Sequence, residues 1–189
     1  MRKLLMSMMV TLDGYVSGPN DEIDWHNVDA EFNDYADEML SSVDALVFGR
    51  VTYQLMASYW PTAGATEDDP IIAAKMNAAP KVVFSHTLET VEWNNTTLAK
   101  GDLEEEVARL KQDPGKDIVI LGSGRLVSAL TQHRLIDEYR IMVNPVVLGQ
   151  GRPLFEGLSD RVRLQLLRTQ TFRSGNVMLV YQPVRQEGE

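Results

Sequence analysis

The chain has 189 residues, 44% hydrophobic and 24% charged, the size and balance of one soluble globular domain (1–189) with a sizeable core. A formal net charge of −9 with no compensating block of Lys and Arg argues against a nucleic-acid partner, so any anionic ligand must be met by local cations and backbone amides. With no cysteine, disulfides and thiolate metal sites are excluded, and three scattered histidines form no zinc pattern, so no metal is expected.

The basic, apolar start from Met1 to Val10 superficially resembles a signal peptide, but Asp13 and Gly14 interrupt it before a full apolar region develops. It reads as a first strand, Leu4–Val10, of a protein expected in the cytoplasm and away from membranes. Met6, Met8 and Met9 within it read as core packing. The Gly-, Ser-, Pro- and Asn-rich stretch from Thr11 to Asn20 is a turn-rich loop, with Asp13 placed either to brace it or to serve a ligand. Phe32, Tyr35, Ala36, Met39 and Leu40 recur at helical spacing over Ala30–Ser42, and Asp29 stands at the N-cap position.

A second apolar run, Ala45–Phe48, ends in Gly49-Arg50-Val51-Thr52 and passes into a helix over Thr52–Tyr59. The small and acidic stretch Gly64–Asp69 is expected to be a mobile loop, followed by a helix over Ile71–Ala78. A third run, Lys81–Phe84, delivers Ser85, His86 and Thr87 at its end, and Leu103–Leu110 is an amphipathic helix stopped by Pro114-Gly115. The fourth run, Ile118–Leu121, ends in Gly122-Ser123-Gly124-Arg125 and opens into a helix marked by Leu126, Ala129, Leu130 and His133. Strand-like segments follow at Tyr139–Val143, Val162–Phe172 and Val177–Tyr181, the last two joined as a hairpin around Ser174-Gly175-Asn176, so this C-terminal part is expected to be antiparallel. Gln186–Glu189 reads as a frayed tail.

Apolar runs spaced widely enough for crossover helices predict an α/β domain with a largely parallel sheet. Two of its strand ends have the same chemistry: glycine for close backbone approach, free amides at a helix start, and an arginine. Each junction alone is as compatible with a bare turn as with a phosphate cradle, with Thr52 then a helix cap and Arg50 a surface charge. Together they favour an extended, multiply phosphorylated ligand at the carboxyl edge of the sheet, where Ser85 also falls. Val127 replaces the third glycine of a dinucleotide fingerprint, which argues against an ordinary Rossmann unit.

The ordered series Asp13-Gly14, Phe48-Gly49-Arg50-Val51-Thr52-Tyr53, Leu121-Gly122-Ser123-Gly124, Leu135-Ile136-Asp137-Glu138-Tyr139 and Asn144 to Phe155 resembles the dihydrofolate-reductase-like family, within it the reductase domain of bacterial riboflavin biosynthesis. The resemblance implies a three-layer α/β/α fold with a mixed central sheet, mostly parallel with a C-terminal antiparallel hairpin, and NADPH as cofactor. Gly122, Ser123 and Gly124 would then face the pyrophosphate, with Gly49, Arg50 and Thr52 on its other side. Ser85, Arg50 and Arg125 would surround the 2′-phosphate. A homodimer and a small heterocyclic substrate, pterin-like or an aminopyrimidine ribosyl phosphate, are implied as well.

On the substrate side Trp25 and Phe32 are expected to line the pocket; the resemblance to dihydrofolate reductases implies a carboxylate on the first helix, where Asp29, Glu31 and Asp34 all stand, with Asp29 the first choice for the catalytic acid and its role as helix N-cap the competing reading. The chain departs from the riboflavin-type pattern in having Gly49-Arg50-Val51-Thr52 for the usual Gly-Thr, and in matching Asp-Asp-Pro only loosely at Asp68-Asp69-Pro70. Without cysteine it holds no copy of the His/Cys/Cys deaminase site. A nucleotide-binding or sensor module without catalysis is the alternative to an enzyme.

Overall fold

The computed structural model describes residues 1–184; the tail expected at Gln186–Glu189 lies outside them. Strands β1 (Leu4–Thr11), β3 (Val43–Gly49), β4 (Lys81–Phe84), β5 (Thr96–Ala99), β6 (Asp117–Ile120), β7 (Glu138–Asn144), β9 (Leu164–Thr171) and β10 (Val177–Pro183) form one sheet in the order β5-β4-β3-β6-β1-β7-β10-β9. Side chains alternate between its faces with period two. Leu4, Met6, Val47, Ile118 and Ile120 pack into one core, while Leu5, Leu46, Phe48 and Val119 pack into another on the opposite face. A strand buried on both faces needs apolar residues at every position, which is why these runs are continuous.

Helices α5 (Leu103–Gln112) and α6 (Gly124–Gln132) cover the first face through Val107, Leu110, Val127 and Leu130. Helices α1 (Ala30–Ser42), α2 (Arg50–Tyr59) and α4 (Pro70–Ala78) cover the other through Met39, Leu40, Tyr53, Ile72 and Met76. Each fully buried Leu, Ile or Val in these layers contributes roughly 1.5–3 kcal/mol of burial free energy. The result is the three-layer α/β/α arrangement expected.

Three expectations need correction. The segment Gly64–Asp69 is not a loop: α3 (Ala63–Asp68) is capped by Thr62, whose hydroxyl accepts from the Ala65 amide at 3.2 Å, and Ala65 is buried. Asp69 then caps α4, accepting from the Ile72 amide at 2.9 Å, with Pro70 in its first turn. The C-terminal part is antiparallel where β10 pairs with β7 and with β9, but β7 follows the α6 crossover and pairs parallel to β1 on its other side. The turn-rich loop after β1 contains a strand, β2 (Tyr15–Ser17), paired with β8 (Arg152–Pro153).

Candidate active site

Strands β3 and β6 are parallel neighbours, so their carboxyl ends bring the two glycine junctions together. The Gly49 amide donates to the Gly122 carbonyl at 2.8 Å. A Cβ added to Gly49 would lie 2.5 Å from Ser123 Oγ, and one added to Gly122 would lie 2.5 Å from Thr52 Oγ1. A Cβ at Gly49 would force the Ser123 hydroxyl to move, whereas one at Gly122 would also press on Thr52 Cγ2 and Cβ at 3.0 and 3.1 Å, and Gly122 has φ +131°, so glycine is required twice over at 122. The Gly122–Ser123 peptide bond is cis.

Helices α2 and α6 start at these junctions, and neither has a side-chain cap at its N-terminus. The other four described helices are capped by Asp29, Thr62, Asp69 and Asp102. The amides and positive dipole ends of α2 and α6 are therefore left available to an anion, with Arg50 and Arg125 as first-turn cations.

Two cavities meet at this point and share Arg50, Val51, Ser123 and Arg125. The smaller, about 470 Å³, runs along the ends of β3 and β4 past Gly49, Ser85, His86 and Thr87. Ser85 Oγ accepts from the Leu88 amide at 3.0 Å, which shapes that loop. Arg50 is exposed and bonds only along its own helix, Nη1 to Gln54 Oε1 at 3.1 Å.

The larger cavity, about 800 Å³, opens between β1, α1, α2 and α4. Its wall takes Met8 and Met9 from β1, Met39 from α1, Met56 from α2 and Met76 from α4. Met142 and Met178 complete it from β7 and β10. Its polar groups include Ser7 and Tyr35, hydroxyl to hydroxyl at 3.2 Å, together with Asn33 and His26. Burial pushes the His26 imidazole down to about 4, and its Nε2 has no hydrogen-bond partner.

Beneath the site, Asp13 braces two loops. Its carboxylate accepts from Thr11 Oγ1 at 2.7 Å and from the amides of Leu148 and Gly149 at 3.2 and 2.7 Å. The Thr11 hydroxyl, helped by those amides, holds this carboxyl below its ordinary range.

The expected cofactor residues thus gather at one place. Gly49, Arg50, Ser85, Ser123 and Arg125 line the smaller cavity, and Thr52 and Gly124 line the larger. Gly122 lies on neither wall and acts through its backbone contacts with Gly49 and Thr52. Thr52 is the third residue of α2, so it is not that helix's cap; Gly49 is.

On the substrate side Phe32 lines the larger cavity, whereas Trp25 and Asp29 do not. Trp25 turns its indole toward the chain, Nε1 to the Glu22 carbonyl at 3.3 Å, and packs edge-on against His26 with centroids 4.5 Å apart. Asp29 caps α1, accepting from the Phe32 amide at 2.8 Å. Sequence reasoning missed His26 and the methionine wall: Met8 and Met9 are half-buried at the cavity, and only Met6 of that trio is wholly core. The chain's nine methionines were the available signal, but the seven on this wall lie on six separate elements and converge only in three dimensions.

A mainly parallel sheet between two helical layers, closed by an antiparallel C-terminal hairpin and grooved at its carboxyl edge, defines the dihydrofolate-reductase-like fold. The chain belongs to the family described as the RibD C-terminal domain, whose model matches residues 2–178. It is 34% identical over 182 residues to the uncharacterized protein YyaP of Bacillus subtilis (strain 168), covering 95% of this chain and 94% of that one. Among solved structures it is similar to a pyrimidine reductase-like protein from Corynebacterium diphtheriae, with TM-score 0.70 and 14% identity over 98% and 93% of the two chains. It is also similar to dihydrofolate reductase from Enterococcus faecalis complexed with NADP(H), with TM-score 0.64 and 15% identity over 96% of each chain.

Proposed function

We propose that this chain is an NADPH-dependent reductase of a small heterocyclic metabolite, with a pterin-like or aminopyrimidine-like ring. One observation carries the reading: two helix N-termini without side-chain caps meet where two cavities share a wall that carries Arg50 and Arg125. A dinucleotide needs that layout, with anion binding in the middle and a ring pocket on either side. Family membership, and the NADP(H) complex of the Enterococcus reductase, point the same way.

In this reading the first-turn amides of α2 and α6 hold the pyrophosphate, and Arg50, Ser85 and Arg125 surround the 2′-phosphate. When bound, the reduced nicotinamide supplies a hydride. The apolar lobe orients the ring and keeps bulk water off it. The ring gains the hydride and one solvent proton across a C=C, C=N or C=O bond, and the cofactor is left oxidised by two electrons. Asp29 serves the site by fixing the start of α1, and Phe32 packs on the ring.

The affinities of wild type and Arg50→Ala for NADPH and NADH test this reading. Wild type should prefer NADPH, and the variant should lose that preference; absence of NADPH binding, or an unchanged preference, overturns it. Binding without turnover is the second reading, favoured because α1 contributes no carboxylate to the cavity wall. Stopped-flow mixing of bound NADPH with pterin, flavin-precursor and quinone compounds separates the two, since a binding module shows no substrate-dependent loss of nicotinamide absorbance.

A homodimer belongs to the same proposal. The outer strand β9 has an unpaired edge and leaves Leu166 and Leu167 49% and 47% exposed. Sedimentation showing only monomer at micromolar protein would remove the dimer while leaving the cofactor reading untouched.

A further inference from the structure

The larger cavity is unusual for a site that would take a sugar phosphate. Its depth is lined by methionine, a soft and adaptable side chain that fits flat, polarizable rings of varied outline. Its mouth is apolar too: Val28, Val51 and Leu55 line it and are 54%, 45% and 47% exposed. Apolar side chains left in water around a pocket mouth gain if a ligand covers them.

The charges on the wall point the same way. Of three arginines, Arg152 is paired with Asp21, Nη2 to Oδ2 at 3.2 Å, and Arg50 and Arg125 belong to the boundary shared with the smaller cavity. The remaining charged groups are carboxylates: Asp68, which accepts from Tyr59 Oη at 2.8 Å, Asp69, which caps α4, and Glu156. Once the shared boundary holds cofactor phosphates, no unpaired cation is left for a substrate phosphate or carboxylate, and three acidic groups oppose one.

One polar group on the wall lacks a partner. Of the three buried side-chain atoms without a hydrogen bond among the described residues, only His26 Nε2 belongs to a residue that lines the cavity. That atom is sealed from solvent, so it presents no hydrogen-bonding group to the cavity and leaves this part of the wall apolar.

Resting on the reductase reading, we propose that the larger cavity takes a neutral, flat, mainly apolar ring compound without phosphate or carboxylate. This separates the chain from any reductase whose substrate retains a ribosyl phosphate. Reduction of a quinone in this site balances as one hydride and one solvent proton added to give the hydroquinone.

The test uses the full chain and isothermal titration with three probes: menadione, an aminouracil ribosyl phosphate, and the same aminouracil nucleoside without its phosphate. NADPH binding is measured separately by nicotinamide fluorescence, and the probes are titrated with and without saturating NADP⁺. Menadione and the dephosphorylated nucleoside should each bind at least about tenfold tighter than the phosphorylated compound, because an unpaired charge enters an apolar, acidic site. Leu55→Arg changes an exposed position and should narrow that gap.

Equal or tighter binding of the phosphorylated compound, or failure of menadione to bind a chain that binds NADP⁺, overturns this inference and leaves the reductase reading standing. Binding of menadione by a chain that does not bind NADPH does the reverse.

Discussion

His26 and Asp29 are three residues apart in the chain and differ in role: one lines the larger cavity, the other holds the helix beside it. Because burial lowers the folded His26 imidazole from 6.5 to about 4, the unfolded chain binds a proton more readily than the folded one between those values. This contribution leaves stability intact above pH 6.5, erodes it as pH falls, and levels off below about 4. The stability of His26→Gln relative to wild type should therefore grow by about 1.4 kcal/mol per pH unit, toward roughly 3 kcal/mol, across that window. Denaturant titrations of both proteins from pH 7 to 4 check this, and parallel curves would contradict it. For Asp29, removal of the cap in Asp29→Ala should cost about 1 kcal/mol, while Asp29→Asn keeps the cap and should keep turnover. A large drop in turnover for Asp29→Asn at unchanged stability would make the carboxylate the proton donor.

At the scale of elements, the site depends on loops tied to one another from below. Asp13 joins the turn after β1 to residues 148 and 149 of the loop after β7, and β2 is held by β8. Asp13→Ala should speed hydrogen exchange at the Leu148 and Gly149 amides by tenfold or more while the sheet amides stay protected. Unchanged exchange at both would show the brace to be redundant. Gly122→Ala meets Thr52 Oγ1 and demands a backbone angle alanine resists, so it should lower stability by a few kcal/mol and abolish cofactor binding together. The elements also differ in how visible they are in sequence. β1, β3 and β6 announce themselves because each holds a continuous apolar run, Leu4–Met6, Ala45–Phe48 and Ile118–Ile120, that is buried on both faces. β5 does not: Thr96 and Thr97 sit on a sheet edge, where partial exposure removes the pattern. α3 was hidden because its six residues bury only Ala65.

For the whole molecule, the order of motifs carried the fold, and the junction glycines carried the meeting of two uncapped helix starts at the carboxyl edge of the sheet. The pocket chemistry was invisible, since no local spacing relates Met9 to Met76 or Met178; only the closed sheet and its helices bring them to one wall. If the domain binds NADPH as one unit, ligand at a hundred times its dissociation constant should stabilise the whole chain by about 2.7 kcal/mol, read as a single shifted unfolding transition. A split transition would mean that the cofactor half and the hairpin half unfold separately.

The two cavities do not merely adjoin: Arg50, Val51, Ser123 and Arg125 belong to both. A ligand that orders those side chains from one side alters the surface met from the other. Any such energetic coupling is necessarily reciprocal, so the factor by which NADP⁺ changes the affinity for a ring compound must equal the factor by which that compound changes the affinity for NADP⁺. On the proposed reading, any coupling between cofactor and ring compound runs through these four residues at the start of two helices, and titrating each ligand with and without the other measures it.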